Sequence, residues 1–297
     1  MDLVQAQDGT RSTPLRPALA SAAAALTAAG LPSPRTDAEL LAAHVLAVPR
    51  GRLPLVDWFD ATQASRYEEL VVRRAAGAPL QHLTGTAGFR YLDLAVGPGV
   101  FVPRPETELL VEAGLRALAG VEAPVVVDLC AGSGAVGLSV AHEHPGAIVY
   151  LVERDPVALE WLRRNATGHQ VTVVAGDAAD PELPDVLAAA AGRPLLGGAR
   201  AVLSNPPYIP LGTRLPRDVS GDPEPALYGG SDGLSVLRPL VARAAELLAP
   251  GGFVGVEHDD THGTAVPELF RADGRFTDIA DHPDLARRPR YTTGVRC

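Results

Sequence analysis

Val125-Val126-Val127-Asp128-Leu129-Cys130-Ala131-Gly132-Ser133-Gly134-Ala135-Val136-Gly137 reads as a buried strand, a glycine turn and the opening of a helix. Consecutive β-branched valines favour the packed, pleated surface of a strand. Gly132 and Gly134 permit a tight turn and let a ligand approach the backbone, and the helix start behind them presents free amides. Gly132, Gly134 and Gly137 also match G-x-G-x-x-G formally, so an NAD site is a fair reading of this loop by itself. Glu153 ends the next strand about 20 residues later, where a carboxylate can accept the hydroxyls of an adenosine ribose.

Outward from this unit the pattern alternates. Strands are expected at Val125 to Leu129, Ile148 to Val152, Val171 to Ala175, Ala201 to Ser204 and Phe253 to Glu257, with short ones near Phe276 and at Tyr291 to Val295. Helices are expected at Ala135 to Glu143, Pro156 to Asn165 and Leu234 to Leu248, with a short one near 184–191. Alternation of this kind predicts an α/β fold with a doubly wound, mostly parallel, seven-stranded Rossmann-like sheet. Asp177 follows the third strand, placed with Ala178 to reach an adenine ring, although a helix-capping role serves that aspartate equally well.

Upstream the character differs. Residues 1–12 are polar and expected to fray. Helices are predicted over 14–29, 35–48 and 60–76, stopped by Gly30 and Pro32, Pro49 and Gly51, and Gly77 and Pro79. In the second, Leu40, Leu41, His44, Val45 and Val48 recur at helical spacing and predict its buried face. Glycines 88, 97 and 99 among Phe89, Tyr91, Leu92, Leu94 and Val96 predict a hairpin. The expected organisation is a helical domain over 1–85, a linker hairpin over 86–102 and a main domain over 103–297.

The chain has 297 residues, is 46% hydrophobic and carries a formal net charge of -9, enough length for a core in each domain. No lysine or arginine cluster provides a nucleic-acid footprint. Two cysteines, Cys130 and Cys297, make no disulfide framework and fit a reducing compartment. The alanine-rich run Ala18 to Ala29 follows Asp2 and Asp8 and is expected to be a helix rather than a signal peptide or membrane span. A cytoplasmic monomer is expected. His258 and His262 have i, i+4 spacing without the glutamate of H-E-x-x-H, so no metal is expected.

Asn205-Pro206-Pro207-Tyr208 ends the fourth strand. Two prolines cannot donate to a sheet, so carbonyls, an amide side chain and an aromatic ring are left at its carboxyl edge. Such acceptors suit a planar nitrogen group carrying hydrogens.

Taken with D-x-x-x-G-x-G at 128–134, Phe101-Val102-Pro103-Arg104-Pro105-Glu106-Thr107-Glu108, the loop from Glu224-Pro225-Ala226-Leu227 to Gly233 and the closing Arg290-Tyr291-Thr292-Thr293-Gly294, this turn resembles the N5-glutamine methyltransferases that modify peptide chain release factors. The similarity covers nearly the whole chain. It implies an S-adenosylmethionine-dependent methyltransferase acting on the glutamine of a Gly-Gly-Gln loop, with the N-terminal domain docking the protein substrate. Asp128 and the run Cys130, Ala131, Gly132, Ser133 and Gly134 would hold the donor, with Glu153 on its ribose and Asp177 and Ala178 beside adenine. Asn205, Pro206, Pro207 and Tyr208 would be catalytic and hold the substrate, with Asn205 also beside the donor, and Arg104 and Glu106 would contact the substrate too. Cys130-Ala131 replaces the family's more usual Gly-Thr, so these side chains must point away from the donor or the loop must shift.

An amide nitrogen is a poor nucleophile because its lone pair is delocalised. Acceptors at Asn205 and the Pro206 carbonyl would fix both N–H groups, aim the nitrogen and raise its electron density, and Tyr208 would pack on the amide plane. An N-alkylated, charged amide is acidic, so no histidine base is required. The competing readings are a glutamine of a ribosomal protein, a DNA adenine N6-methyltransferase, which N-P-P-Y alone also fits, and an NAD-dependent dehydrogenase resting on the Gly132 loop.

Overall fold

The computed structural model describes residues 13–215, 219 and 221–297, so the expected fraying of residues 1–12 lies outside the described residues. Two compact units are present. One contains the chain up to Gly85 together with Leu215–Gly221, and the other contains Thr86–Arg214 and Asp222–Cys297.

The first unit is helical. It comprises β1 (Thr13–Pro14) bridged to β2 (Trp58–Phe59), and helices α1 (Leu15–Ala28), α2 (Pro34–Leu46), α3 (Ala61–Ala75) and α4 (Leu80–Thr84). Asp60 and Gln63 form a reciprocal capping box that starts α3. Leu26, Leu41, Phe59 and Leu70 are fully buried at its centre. The buried residues of α2 are Asp37, Ala38, Leu41, Ala42 and Ala43; of the predicted face Leu41 is fully buried, Val45 and Val48 pack partly against the same core, and His44 is exposed. The small alanines let α1 approach α2, and Asp37 is drawn inward by a 2.8 Å ion pair to buried Arg74 of α3.

The second unit opens with the antiparallel hairpin β3 (Thr86–Phe89) and β4 (Leu92–Ala95), followed by α5 (Thr107–Ala117). Then come β5 (Val125–Leu129), α6 (Ala135–Glu143), β6 (Ile148–Glu153), α7 (Pro156–Ala166), β7 (Val171–Ala175), α8 (Leu183–Ala191), β8 (Ala199–Ser204), α9 (Glu224–Leu227), α10 (Leu237–Leu247), β9 (Leu248–Glu257), α11 (Ala265–Asp273), β10 (Phe276–Pro283) and β11 (Pro289–Arg296). The sheet has seven strands in the order β10-β11-β9-β8-β5-β6-β7. Five central strands are parallel, and β11 runs antiparallel to both neighbours. Every residue of β5 is buried, as expected for a strand covered on both faces.

Sequence patterning missed α11 and shortened the last two strands, which each span 8 residues. The nine residues of α11 bury only Val266, Pro267 and Phe270, too few for a periodic signal. The edge strand β10 exposes half of its residues and buries only Phe276, so it lacks the apolar run that marks a buried strand.

Helix α5 lies tight on the sheet because two contacts lack side chains. A Cβ at Gly114 would stand 2.8 Å from Leu203 of β8, and one at Gly255 of β9 would stand 2.7 Å from Leu110 of α5. This close approach brings Thr107, the first residue of α5, to the carboxyl ends of β8 and β9.

Candidate active site

The parallel register pairs Leu129 with Val152 and with Ser204, and Ser204 with Val256. Cys130, Glu153, Asn205 and Glu257 therefore come at one carboxyl edge, where open α/β sheets bind ligands.

In the glycine loop, Cys130, Gly132 and Gly134 all have positive φ, at 62°, 56° and 92°. A Cβ at Gly132 would meet nothing within 4 Å, so this turn borders open space. Gly134 caps α6 and is pressed against Leu138 and Leu162. Cys130 packs against the core cluster on one side of the sheet. Burial pushes its thiol well above the ordinary range, and the nearby Glu153 charge adds to the rise.

Four of the residues expected at the donor turn their side chains into the protein. Asp128 is 1% exposed and its Oδ2 accepts the Gly137 N–H at 2.8 Å, so it ties strand to helix instead of facing a ligand. Ala131 and Ser133 are buried, because the loop folds back onto the sheet: the Ala131 N–H donates to the Val152 carbonyl and the Ser133 carbonyl accepts from Asn165. Ligand contact from them is left to the backbone. Ala178 likewise turns its methyl into the core.

Glu153 accepts three backbone N–H groups at 2.8 Å, from Gly132 on Oε2 and from Arg154 and Asp155 on Oε1. A carboxylate has about four acceptor positions, so a ribose gains two hydroxyl contacts only where one amide lets go. Asp177 pairs with Arg154 at 3.0 Å and caps the Ala179 N–H.

At the neighbouring strand end, the Asn205 side-chain amide donates to Thr107 Oγ1 at 3.1 Å. The rings of Pro206 and Pro207 are buried, and the Tyr208 phenol donates to Glu257 Oε1 at 3.0 Å. Glu257 is 1% exposed. Burial pushes its carboxyl up to about 7, against the opposing influence of Thr107, Tyr208 and Arg290. Burial and the Glu257 charge keep the Tyr208 phenol protonated well above its ordinary range. The glycine loop after α9 closes on this turn, since a Cβ at Gly229 would stand 2.6 Å from the Pro207 carbonyl and one at Gly233 2.3 Å from the Tyr208 carbonyl.

Arg104 is paired with Asp222 and lies over the Phe101 ring. Asp222 also accepts the Val102 N–H at 3.1 Å, so the pair pins the P-R-P turn. Glu106 is exposed beside that turn, and its charge raises the Glu257 carboxyl further. His258 is fully buried, with ring nitrogens 2.9 Å from the Asp259 carbonyl and 3.0 Å from Thr292, and His262 meets the Asp232 carbonyl. Among the described residues no group of His, Cys, Asp and Glu has metal-binding geometry.

Sequence reasoning missed Thr107 and Glu257 as site residues. A single carboxylate ending an otherwise apolar strand, beside the strand that ends in Asn205, was the available signal.

Residues 17–85 match the model of the PrmC N-terminal domain, and residues 98–210 match the methyltransferase small domain. The release factor glutamine methyltransferase of Mycolicibacterium smegmatis is 50% identical over 286 residues, covering 96% of this chain and 98% of that protein. That of Streptomyces coelicolor is 49% identical over 93% of this chain and 95% of that protein. The chain belongs to the release factor glutamine methyltransferase family. Its fold is shared with the solved catalytic domain of hMettl16, at a TM-score of 0.52 and 11% identity, over 80% of this chain and 81% of that one. For a member of this methyltransferase family the cofactor is S-adenosylmethionine, which closes the NAD reading of the Gly132 loop. The antiparallel β11 also departs from the mostly parallel dinucleotide-binding sheet.

Proposed function

We propose that this chain transfers a methyl group from S-adenosylmethionine to the side-chain amide nitrogen of the glutamine in the Gly-Gly-Gln loop of peptide chain release factors. The carrying observation is the Asn205–Thr107 hydrogen bond in a chain half identical, end to end, to named release factor glutamine methyltransferases. With its Nδ2 engaged by Thr107, the Asn205 amide presents Oδ1 on its other edge as an acceptor. Chemistry on a planar N–H₂ group needs such an acceptor.

The glycine loop fits the donor. Open space beside Gly132, the N-terminus of the nine-residue α6 and the Glu153 carboxylate at the next strand end form a polar cradle for an adenosine and an amino acid moiety. Residues that would hold it are Cys130, Ala131, Gly132, Ser133 and Gly134 through the backbone, Glu153, and Asp177 at the β7 end. Bound there, it supplies a methyl group carried on a sulfonium. Asn205 and the Pro206 carbonyl hold the glutamine N–H groups, and polarising them raises the electron density on nitrogen. The Tyr208 ring, anchored through its phenol, packs on the amide plane and excludes water. The resulting charged amide sheds its proton without a dedicated base.

The helical N-terminal unit, with Leu55, Trp58 and Val72 exposed, serves in this reading to dock the protein substrate. A net charge of -9 disfavours a phosphate backbone as partner. No helix among the described residues is long and apolar enough to cross a membrane; a cytoplasmic monomer is part of this proposal.

Tritiated S-adenosylmethionine should label a release factor and leave its loop Gln→Ala variant unlabelled, with mass spectrometry placing the methyl on that glutamine. Equal labelling of both proteins, or transfer only to a ribosomal protein or DNA, overturns the assignment.

A further inference from the structure

We propose that Glu257 is a positioning residue which, through Thr107 and Tyr208, sets the hydrogen-bond polarity of the Asn205 amide and anchors the turn that receives substrate. This rests on the function proposed above and goes beyond it, from the N-P-P-Y turn to the group behind it.

Glu257 is the last residue of β9, directly beyond the Ser204–Val256 pair, so register places it next to Asn205. Its side chain is 1% exposed. One oxygen, Oε1, accepts the Tyr208 phenol at 3.0 Å, whereas Oε2 is buried with no hydrogen-bond partner. A buried carboxylate oxygen without a partner is costly and needs a reason. Close packing at Gly255 draws α5 onto β9, and the Thr107 hydroxyl at the start of α5 favours the charged form of this carboxylate without a formed hydrogen bond to Oε2. Thr107 itself is 2% exposed and already accepts from Asn205 Nδ2.

The consequence is a question of one proton. A carboxylate only accepts, so its charge favours the Thr107 hydroxyl orientation that points the single hydrogen toward it, short of a formed hydrogen bond. The hydroxyl then has only lone pairs for Asn205. That selects the N–H₂ edge of the Asn205 amide for Thr107 and turns Oδ1 away as a fixed acceptor. Without the carboxylate, Thr107 could instead donate to Oδ1. The Asn205 amide would then flip and present N–H groups to a substrate that also carries N–H groups. Glu257 thus excludes the wrong rotamer of the residue that recognises the amide.

The groups that act on Glu257 are Thr107 and Glu106 at the start of α5, Tyr208 in the turn after β8, and Arg290 of β11. Arg290 and Tyr208 favour the charged form and Glu106 opposes it. Protonation of Glu257 in the neutral range would let the carboxyl donate to Thr107 and release the polarity.

Glu257→Gln and Thr107→Val test this, with Thr107→Ser as the conservative rescue. Both should lower kcat by roughly 10- to 100-fold, the scale of a misaligned reacting group, while the Kd for S-adenosylmethionine stays within about threefold. Thr107→Ser should recover most of kcat. In wild type kcat should fall below about pH 7, and in Glu257→Gln that acid limb should vanish. Independently of activity, the Asn205 side-chain amide protons, assigned by their loss in Asn205→Ala, should exchange slowly in wild type and fast in Thr107→Val. Wild-type kcat, acid limb and exchange in both variants would overturn the proposal. Failure of the wild-type enzyme to label any release factor would instead strike the function it rests on, and the exchange measurement would still decide the Asn205 polarity.

Discussion

Gly137 donates its N–H to Asp128 Oδ2 at 2.8 Å and packs so closely on β6 that a Cβ there would stand 2.1 Å from Leu151 Cδ2. The third glycine of the loop is thus needed for contact between α6 and the sheet, while Gly132 borders open space. Gly137→Ala should destabilise the chain by about 1–3 kcal/mol through overpacking. Urea unfolding, compared with Gly51→Ala where a Cβ meets nothing, would show it as a lower midpoint at unchanged slope.

Asp128 and Glu257 are pushed up by burial to about 8 and about 7, from ordinary values of 3.8 and 4.5. The folded chain therefore holds these protons more tightly than the unfolded chain does. Their contribution to stability is full below about pH 4 and is lost as pH rises through 7 and 8. The melting temperature should fall between about pH 5 and pH 8, and Asp128→Asn with Glu257→Gln should flatten that fall. Transfer activity should move the opposite way, since the ionised Glu257 is the form that orients Thr107.

Cys130 is shielded at the strand end, and Cys297 is exposed. Because burial disfavours the Cys130 thiolate, iodoacetamide at pH 8 should label Cys297 first and leave Cys130 largely unmodified. Peptide mass spectrometry over a time course reads both sites, and equal rates would contradict the packing of Cys130 against the core.

Gly233 has φ 75° and lies against the Tyr208 carbonyl and the His262 ring. Gly233→Ala should push the turn apart and cut transfer by about 100-fold, with a lower melting temperature. Calorimetric binding of S-adenosylmethionine should survive, because the glycine loop at 130–134 is untouched.

Asn205→Ala should remove most transfer while leaving donor binding weakened but measurable. Asn205→Asp keeps the size but loses the N–H₂ group that Thr107 accepts and places a charge beside buried Glu257. It should be as inactive as the alanine variant, read by the same tritium assay.

The central sheet was legible because β5, β6, β7 and β8 are short apolar runs bounded by glycine, proline and acidic residues. The turn at Asn205 was legible because two prolines can end a strand but not continue it. Faces and partners were less so. The α2 interface is built on alanines, whose small size gives no strong periodic signal yet lets helices approach. Asp128, Ala131 and Ser133 occupy a ligand-binding motif but point into the protein. Arg104 has the charge for a substrate contact, but Asp222, more than 100 residues away, already holds it.

By itself the sequence determined the strand, glycine turn and helix at 125–137, the alternation that makes a parallel sheet, and the proline-stopped acceptors at 205–208. These depend on backbone preferences and local spacing, which neighbouring residues set. Only the tertiary structure decided that Thr107 and Glu257 stand behind Asn205, because their meeting depends on strand register and on the glycine contacts that draw α5 onto β8 and β9. Local spacing carries no information about a hydrogen bond closed across 98 residues.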